Sequence, residues 1–212
     1  MTTTTNTTAL RRYTELPALL GLLTSKSITL LDPASWDDRN DAHYMATYKE
    51  KRNLKSVLAL CFSQSVETYH HWKVFAPGSA GVCIEFDKRL LLRAMKSHGG
   101  VKTGRVDYLT IKEARALSRR TDELPFVKRA GYRPEAEFRL LYTSEVGQHG
   151  SLSIPISTSS IRSVTLSPWL HSSLKEPIKQ LLKGIDGFSE LKVVRSTLVS
   201  NEEWKAYGNA AT

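Results

Sequence analysis

Apolar positions along the chain cluster in short runs, and their spacing sets the elements. Residues 57–62 (VLALCF) are continuously apolar and rich in strand formers, the pattern of a strand buried on both faces. Residues 81–87 (GVCIEFD) and 27–31 (SITLL) read as two further strands. Helical spacing marks 16–23 (LPALLGLL, with Pro17 in the first turn), 41–54 with Asp41 as its cap, and 67–75. It also marks the amphipathic 88–97, closed by Gly99-Gly100, and 111–120, which follows a strand over 104–109. The second half is richer in strands, at 135–143, 152–155, 161–166 and 191–198, with one helix over 172–183. A doubly wound βαβ series would keep its helices alternating to the end, and this order does not. The expected class is therefore α+β: a single domain over 9–207, with a mixed sheet flanked by helices, between disordered tails at 1–8 and 208–212.

Composition narrows the setting. The 212 residues are 41% apolar, enough for one sizeable core. Lys and Arg number 30 against 21 Asp and Glu, a formal charge of +9 that favours nucleic acid or another polyanion as partner without identifying one. Basic residues concentrate at 49–55, where alternating signs suit a solvated helix face, and at 115–133 (Arg115, Arg119, Arg120, Lys128, Arg129, Arg133). Cys61 and Cys83 sit in apolar strand runs without metal spacing and read as buried thiols in a reducing compartment. The start MTTTTNTT lacks the charge and apolar core of a secretory signal, and the longest apolar stretch is too short to span a bilayer. The expectation is a cytoplasmic protein with no membrane partner.

Three clusters could carry chemistry. In PEAEFRLLYT, strand alternation places Glu135, Glu137 and Arg139 on one face and Ala136, Phe138, Leu140 and Tyr142 on the other. Such a column is either a solvated sheet face or the floor of a cleft, where paired carboxylates can serve as acid and base. In ETYHHWKVF, helical spacing puts Glu67, His70 and His71 on one face, with Thr68, Trp72 and Phe75 packing inward. Neither HExxH nor a second Glu-x-x-His occurs, and the other histidines lack ligand spacing, so no metal is expected. In SWDDRND, Asp37, Asp38 and Asp41 could gather a hard cation or simply turn the chain and cap a helix, and Trp36 needs something to pack on. GxGxxG, Walker, GxSxG and CxxC patterns are absent.

The order of motifs resembles a known family. LRRY, SITLLDPASWDDRND, LALCFS, HHWKVFAPGSAGVCIEF, VDYL, RPEAEFRLLY, IRSVTLSP and VVRSTL follow one another as in the bacterial and phage family of unknown function numbered twenty-nine seventy-one, over residues 13–198. That family carries a Phe-Asn-Asp-Pro turn and then an acidic residue; WDDRND keeps the aromatic and an Asp (Trp36, Asp38) and loses the proline. The layout is also similar to that of ADP-ribosyltransferases, which place a basic or polar residue on an early strand, an aromatic or serine on a middle strand, and a late Glu-x-Glu. The counterparts here are Arg12 or Tyr13, Phe62-Ser63 and Glu135-x-Glu137. This resemblance implies NAD as substrate. Glu137 would stabilise charge at the ribose, Glu135 would activate an acceptor, and Arg12 and Ser63 would hold diphosphate and ribose. His70, His71 and Trp72 would line the pocket, in a setting of phage–host conflict. Two other readings stay open: a metal-dependent nuclease built from Asp37, Asp38, Asp41, Glu85 and Asp87, and a non-catalytic module whose basic face docks nucleic acid or a nucleotide.

Overall fold

The computed structural model describes residues 8–118 and 120–210. Of the expected tails over 1–8 and 208–212, residues 1–7 and 211–212 lie outside the described residues, as does Arg119 of the second basic run, while residues 208 and 209 end a helix. The first half runs β1 (Ala9–Glu15), α1 (Leu16–Ser25), β2 (Ser27–Leu31), α2 (Arg39–Lys51), β3 (Ser56–Ser63), α3 (Tyr69–Phe75) and β4 (Gly81–Asp87). Next come α4 (Lys88–His98), β5 (Val101–Arg105), β6 (Asp107–Leu109), α5 (Ile111–Ala116) and β7 (Val127–Arg129). The chain closes with β8 (Glu137–Ser144), β9 (Ser151–Pro155), β10 (Ile161–Leu166), α6 (Lys175–Lys183), β11 (Lys192–Arg195) and α7 (Glu202–Asn209).

The class is the expected one, an α+β domain with a mixed sheet flanked by helices. The path β11-β10-β4-β1-β3-β2-β9 forms the main sheet, and β8 joins it by pairing with β3 while β5 pairs with β8. Among the described residues only β10–β11 is parallel within it; a separate parallel pair, β6–β7, stands apart. Both faces of β3 are covered, which is why VLALCF reads without alternation. Leu58, Leu60 and Phe62 enter the larger core with Leu19 and Leu23 of α1, Leu91 and Met95 of α4 and Leu182 of α6. Val57 and Ala59 face the other way, against Met45 and Tyr48 of α2 and Leu141 of β8. A third cluster joins Tyr13 of β1, Trp72 and Ala76 of α3 and Cys83 of β4.

Several boundaries differ from the expectation, each for a local reason. Asp38 rather than Asp41 caps α2: its Oδ1 accepts the Asn40 and Asp41 N–H groups at 3.1 and 3.4 Å, so Asp41 falls in the first turn. Thr68 caps α3, leaving Glu67 outside the helix. A Cβ on Gly81 would stand 2.2 Å from the Ala76 carbonyl oxygen, so a glycine lets the end of α3 close onto β4. The expected strand over 104–109 is two strands, β5 and β6, in different sheets, and the helix after it ends at Ala116. Glu135 is not on β8. It ends a 3-10 turn (Ala130–Glu135), and Ala136 takes a left-handed conformation (φ 45°) that breaks the strand alternation before Glu137. Three elements went unread: β1, seen only as the motif LRRY, β7 and α7.

Candidate active site

On the face shared by α2 and α3, the helices leave a gap over the sheet. β1 and β3 pair at a single position, Arg11 opposite Ser63, and the gap opens where these two strands part. The resulting cleft, about 500 Å³, is lined from β1 by Arg12 and Tyr13 and from β3 by Cys61 and Ser63. Trp36 and Asp38 line it from the turn before α2, His71 and Phe75 from α3, and Lys128, Tyr132, Glu135 and Glu137 from the segment around β7 and β8. Its volume lies within the roughly 300–1,000 Å³ of small-molecule pockets.

The register explains the floor. Ser63 and Cys61 of β3 stand opposite Glu137 and Arg139 of β8, so these four side chains share one face. Arg139 is fully buried, and its guanidinium makes four hydrogen bonds. Nη1 donates to Asp41 Oδ1 at 3.0 Å and to the Pro125 carbonyl at 2.7 Å. Nη2 donates to Asp41 Oδ2 at 2.8 Å, and both Nη2 and Nε lie 2.7 Å from Glu137 Oε1. Trp36 covers this guanidinium, 4.9 Å from ring centroid to Cζ, which is what an aromatic in a polar turn packs on. Lys128 is the second cation: its Nζ lies 2.8 Å from Glu135, 3.5 Å from Glu137 and 3.8 Å from Asp41.

Three carboxylates therefore share two cations, and their environments drive two of them apart. Burial pushes Glu137 up, but Arg139 and Lys128 outweigh it and hold the carboxyl below its ordinary value, so it stays ionised. Burial also raises Glu135, and Lys128 only partly offsets it, so this carboxyl sits above its ordinary value. Lys128 is held above its ordinary range because the acids outweigh the effect of its burial. Arg12 has the opposite situation. Its Nη1 donates to the Cys61 carbonyl at 3.3 Å, and among the described residues no carboxylate pairs with it; burial lowers its pKa. Asp38 lines the same cleft, and its Oδ2 is buried with no hydrogen-bond partner among the described residues.

His71 anchors the turn that carries Glu135. The Ser63 hydroxyl donates to the Glu135 carbonyl at 2.8 Å, and so accepts from the Ser65 N–H at 3.1 Å and from His71 Nε2 at 3.1 Å. That assigns the proton to Nε2 and leaves Nδ1 to accept from Thr68 Oγ1, whose oxygen in turn accepts the His71 N–H. Burial lowers the His71 pKa and keeps this ring neutral. Tyr13 stacks on it with centroids 5.1 Å apart, and Trp72 meets Tyr13 edge-on at 5.2 Å.

The structure thus brings Arg12, Tyr13, Trp36, Asp38, Ser63, His71, Glu135 and Glu137 to one cleft. Arg139 lies beneath the floor, with no exposed surface. His70 is exposed and does not line the cleft, and Trp72 is fully buried behind Tyr13 with its Nε1–H on Glu67 at 2.6 Å. The expected inward face of α3 is also shifted: His71 is buried, while Phe75 is half-exposed at the rim. Of the five carboxylates of the nuclease reading, Asp37, Asp38 and Asp41 reach the cleft. Glu85 pairs instead with Arg11 at 2.7 Å, and Asp87 caps α4 and pairs with Arg162 at 2.7 Å. Among the described residues no group of three or more His, Cys, Asp or Glu is arranged to hold a metal ion, and no helix is long and apolar enough to cross a membrane. Sequence reasoning missed Cys61 and Tyr132 as part of this cleft, read Asp41 only as a cation ligand or helix cap, and missed Tyr108, whose Oη accepts the Glu137 N–H at 2.8 Å. Only the proximity of the 115–133 basic run to the acidic pair pointed toward Lys128.

No family model matches the chain, the family of unknown function that its motifs resemble included, and no curated protein matches it. Among solved structures it is similar to Thermus sp. 2.9 DarT in complex with NAD+, at 12% identity and a TM-score of 0.44 over 90% of this chain and 96% of that one. The same protein in complex with ADP-ribosylated ssDNA gives 15% and 0.43 over 89% and 94%, and in complex with carba-NAD+ 15% and 0.41 over 94% and 98%. A likeness of this size transfers no residue's role.

Proposed function

We propose that the cleft cleaves the nicotinamide–ribose bond of NAD+ and passes the ADP-ribosyl group to a phosphate-bearing macromolecule. One observation carries this reading. Two carboxylates that meet on Lys128 are pushed to opposite sides of their ordinary value, which is how a site separates an ionic stabiliser from a proton acceptor.

The donor set fits the proposed substrate in charge. NAD+ carries a cationic pyridinium and an anionic diphosphate, and the cleft offers an acidic floor together with Arg12, a half-buried guanidinium with no carboxylate partner among the described residues. The unpartnered Asp38 Oδ2 is an acceptor suited to a sugar hydroxyl. Tyr13, Trp36 and Phe75 supply aromatic walls.

Glu137, ionised and fixed by Arg139, faces the positive charge that grows on the anomeric carbon as the glycosidic bond breaks. The electron pair of that bond leaves with the nicotinamide nitrogen, which becomes neutral. Glu135 takes the proton from the acceptor atom that bonds to the same carbon, a role its raised pKa suits. Ser63 and His71 hold the Glu135 backbone and act as positioning residues. Lys128 keeps both carboxylates in place.

Calorimetric titration tests the binding half of this proposal. NAD+ is expected to bind the native chain, and Arg12→Ala is expected to weaken it by about 10- to 100-fold, the loss of roughly one charge-assisted contact. Equal affinity of the native chain for NAD+ and for nicotinamide alone would remove Arg12 from the diphosphate role.

A further inference from the structure

α7 is closed locally but buried by none of the described residues. Asn201 caps it, with its Oδ1 accepting the Trp204 N–H at 2.9 Å, yet each residue from Glu202 to Asn209 is exposed. A helix of this length is marginal in water by itself, so its stability calls for packing from outside. Trp204 and Tyr207 are 77% and 76% exposed, with their rings stacked at 6.1 Å between centroids. Leu198 and Val199, just ahead of the helix, are exposed as well, and so is Val194 on β11, the end strand of the sheet. Single apolar residues on a surface need no explanation, but a run of them ending in two large aromatics marks a contact face.

Gly208 shows what shape of partner this face takes. It lies one turn after Trp204 on the same side, and a Cβ placed there would meet nothing within 4 Å. Glycine in a helix is unfavourable relative to alanine, and no close approach among the described residues requires one here. The missing side chain leaves a recess beside the two rings. We propose that this face is the contact between two copies of the chain, with α7 packed antiparallel on the partner's α7 about a two-fold axis near Ala206. That arrangement sets each Trp204 on the partner's Gly208, so one helix supplies both ring and recess. Charge favours a second copy over other occupants. Lys205, the one lysine of α7, is paired with Glu202 at 2.8 Å and so is not free for an acidic or phosphate-bearing partner. Glu202 and Glu203 in the first turn repel an anionic membrane. What the face presents is neutral and aromatic, and a copy of itself matches it. Four aromatic rings, each able to bury on the order of 150–250 Å², together with Leu198 and Val199 of both copies, approach the roughly 1,000 Å² of a specific but weak interface.

Sedimentation equilibrium of the full chain tests this, at concentrations from about 1 to 500 µM, bracketing the weak affinity that such an area supports. The native chain is expected to dimerise with a dissociation constant of about 1–100 µM. The dimer is expected to tighten as salt rises, because each copy carries a charge of +9 that salt screens. Trp204→Ala/Tyr207→Ala is expected to weaken it at least about 10-fold. Both residues lie outside the core and the cleft, so that loss is not one of folding. Gly208→Gln separates packing from helix stability. Glutamine is the better helix former, so circular dichroism is expected to show no loss of helix, while the filled recess weakens the dimer at least about 10-fold. A native chain that stays monomeric across the whole range overturns the proposal. So does a dimer that salt weakens, or that either variant leaves unchanged or tighter. Neutral phospholipid vesicles are the competing occupant: a monomeric native chain that binds them through Trp204 would make this a lipid-docking face instead.

Discussion

Arg139 grips Asp41 through two parallel N–H···O bonds, at 3.0 and 2.8 Å, although the two residues lie 98 positions apart in the chain. The pair ties the first turn of α2 to the middle of β8 and, through the same guanidinium, fixes Glu137. Fold stability and the geometry of the acidic floor therefore share one buried side chain.

Removing that side chain is expected to be costly. Arg139→Leu strands Asp41 and Glu137 in a buried site, a loss of about 3–5 kcal/mol. Urea unfolding measures it. Arg139→Lys is expected to recover only part, since a single ammonium cannot reproduce five donors in a fixed fork. Stability equal to native in the Leu variant would show that the network contributes nothing.

Ser63→Ala removes the donor to the Glu135 carbonyl, and His71→Asn removes the ring that orients Ser63. Each is expected to cost about 1–2 kcal/mol of stability, the range for a buried hydrogen bond and the group left unpaired. If they position Glu135, the acidic limb of the pH–rate profile also moves, whereas a purely structural loss lowers the rate at every pH alike.

How much of this was legible in the sequence can be judged from particular residues. VLALCF announced a strand covered on both faces; Glu135, Glu137 and His71 were each singled out by chemistry and spacing, and Ser63 only by the resemblance to ADP-ribosyltransferases. Glu135 was placed on the wrong element for a simple reason. Strand alternation assumes an extended backbone, and a left-handed Ala136 is invisible where no glycine marks it. The same limit hid Lys128 and the pairing of Asp41 with Arg139. Their roles come from contacts between α2, β7 and β8 that no local pattern encodes. His70 and His71 are neighbours of one type, and only the helix start at Thr68 decides which is buried.

Glu135 gives a pH signature with a definite sign. Its folded pKa lies above the ordinary 4.5, so the stability it contributes is fully present below that pH and is lost as pH rises through the folded value. Glu135→Gln removes this loss, and the variant is expected to gain on the native chain as pH rises from about 4 to 8. Chemical denaturation across that range checks it; a variant that falls further behind with rising pH contradicts the raised pKa.

Both thiols are expected to be inert in the folded chain. Burial pushes Cys83 up to about 12 and Cys61 well above its ordinary value, so neither presents a thiolate near neutral pH. Cys61 nevertheless lines the cleft. A thiol reagent at pH 8 is expected to label neither cysteine until denaturant is added.

The most direct test of the site is nicotinamide release from NAD+ by the native chain and by Glu137→Gln. The amide can still accept from Arg139, so the variant is expected to fold, with a stability loss of about 1–3 kcal/mol from the missing charge. The native chain is expected to release nicotinamide, and the folded variant to do so about 100- to 1,000-fold more slowly, the loss seen when one electrostatic stabiliser is removed. Equal rates from the two proteins, or none from the native chain with a nucleic-acid strand present, would contradict the role given to Glu137.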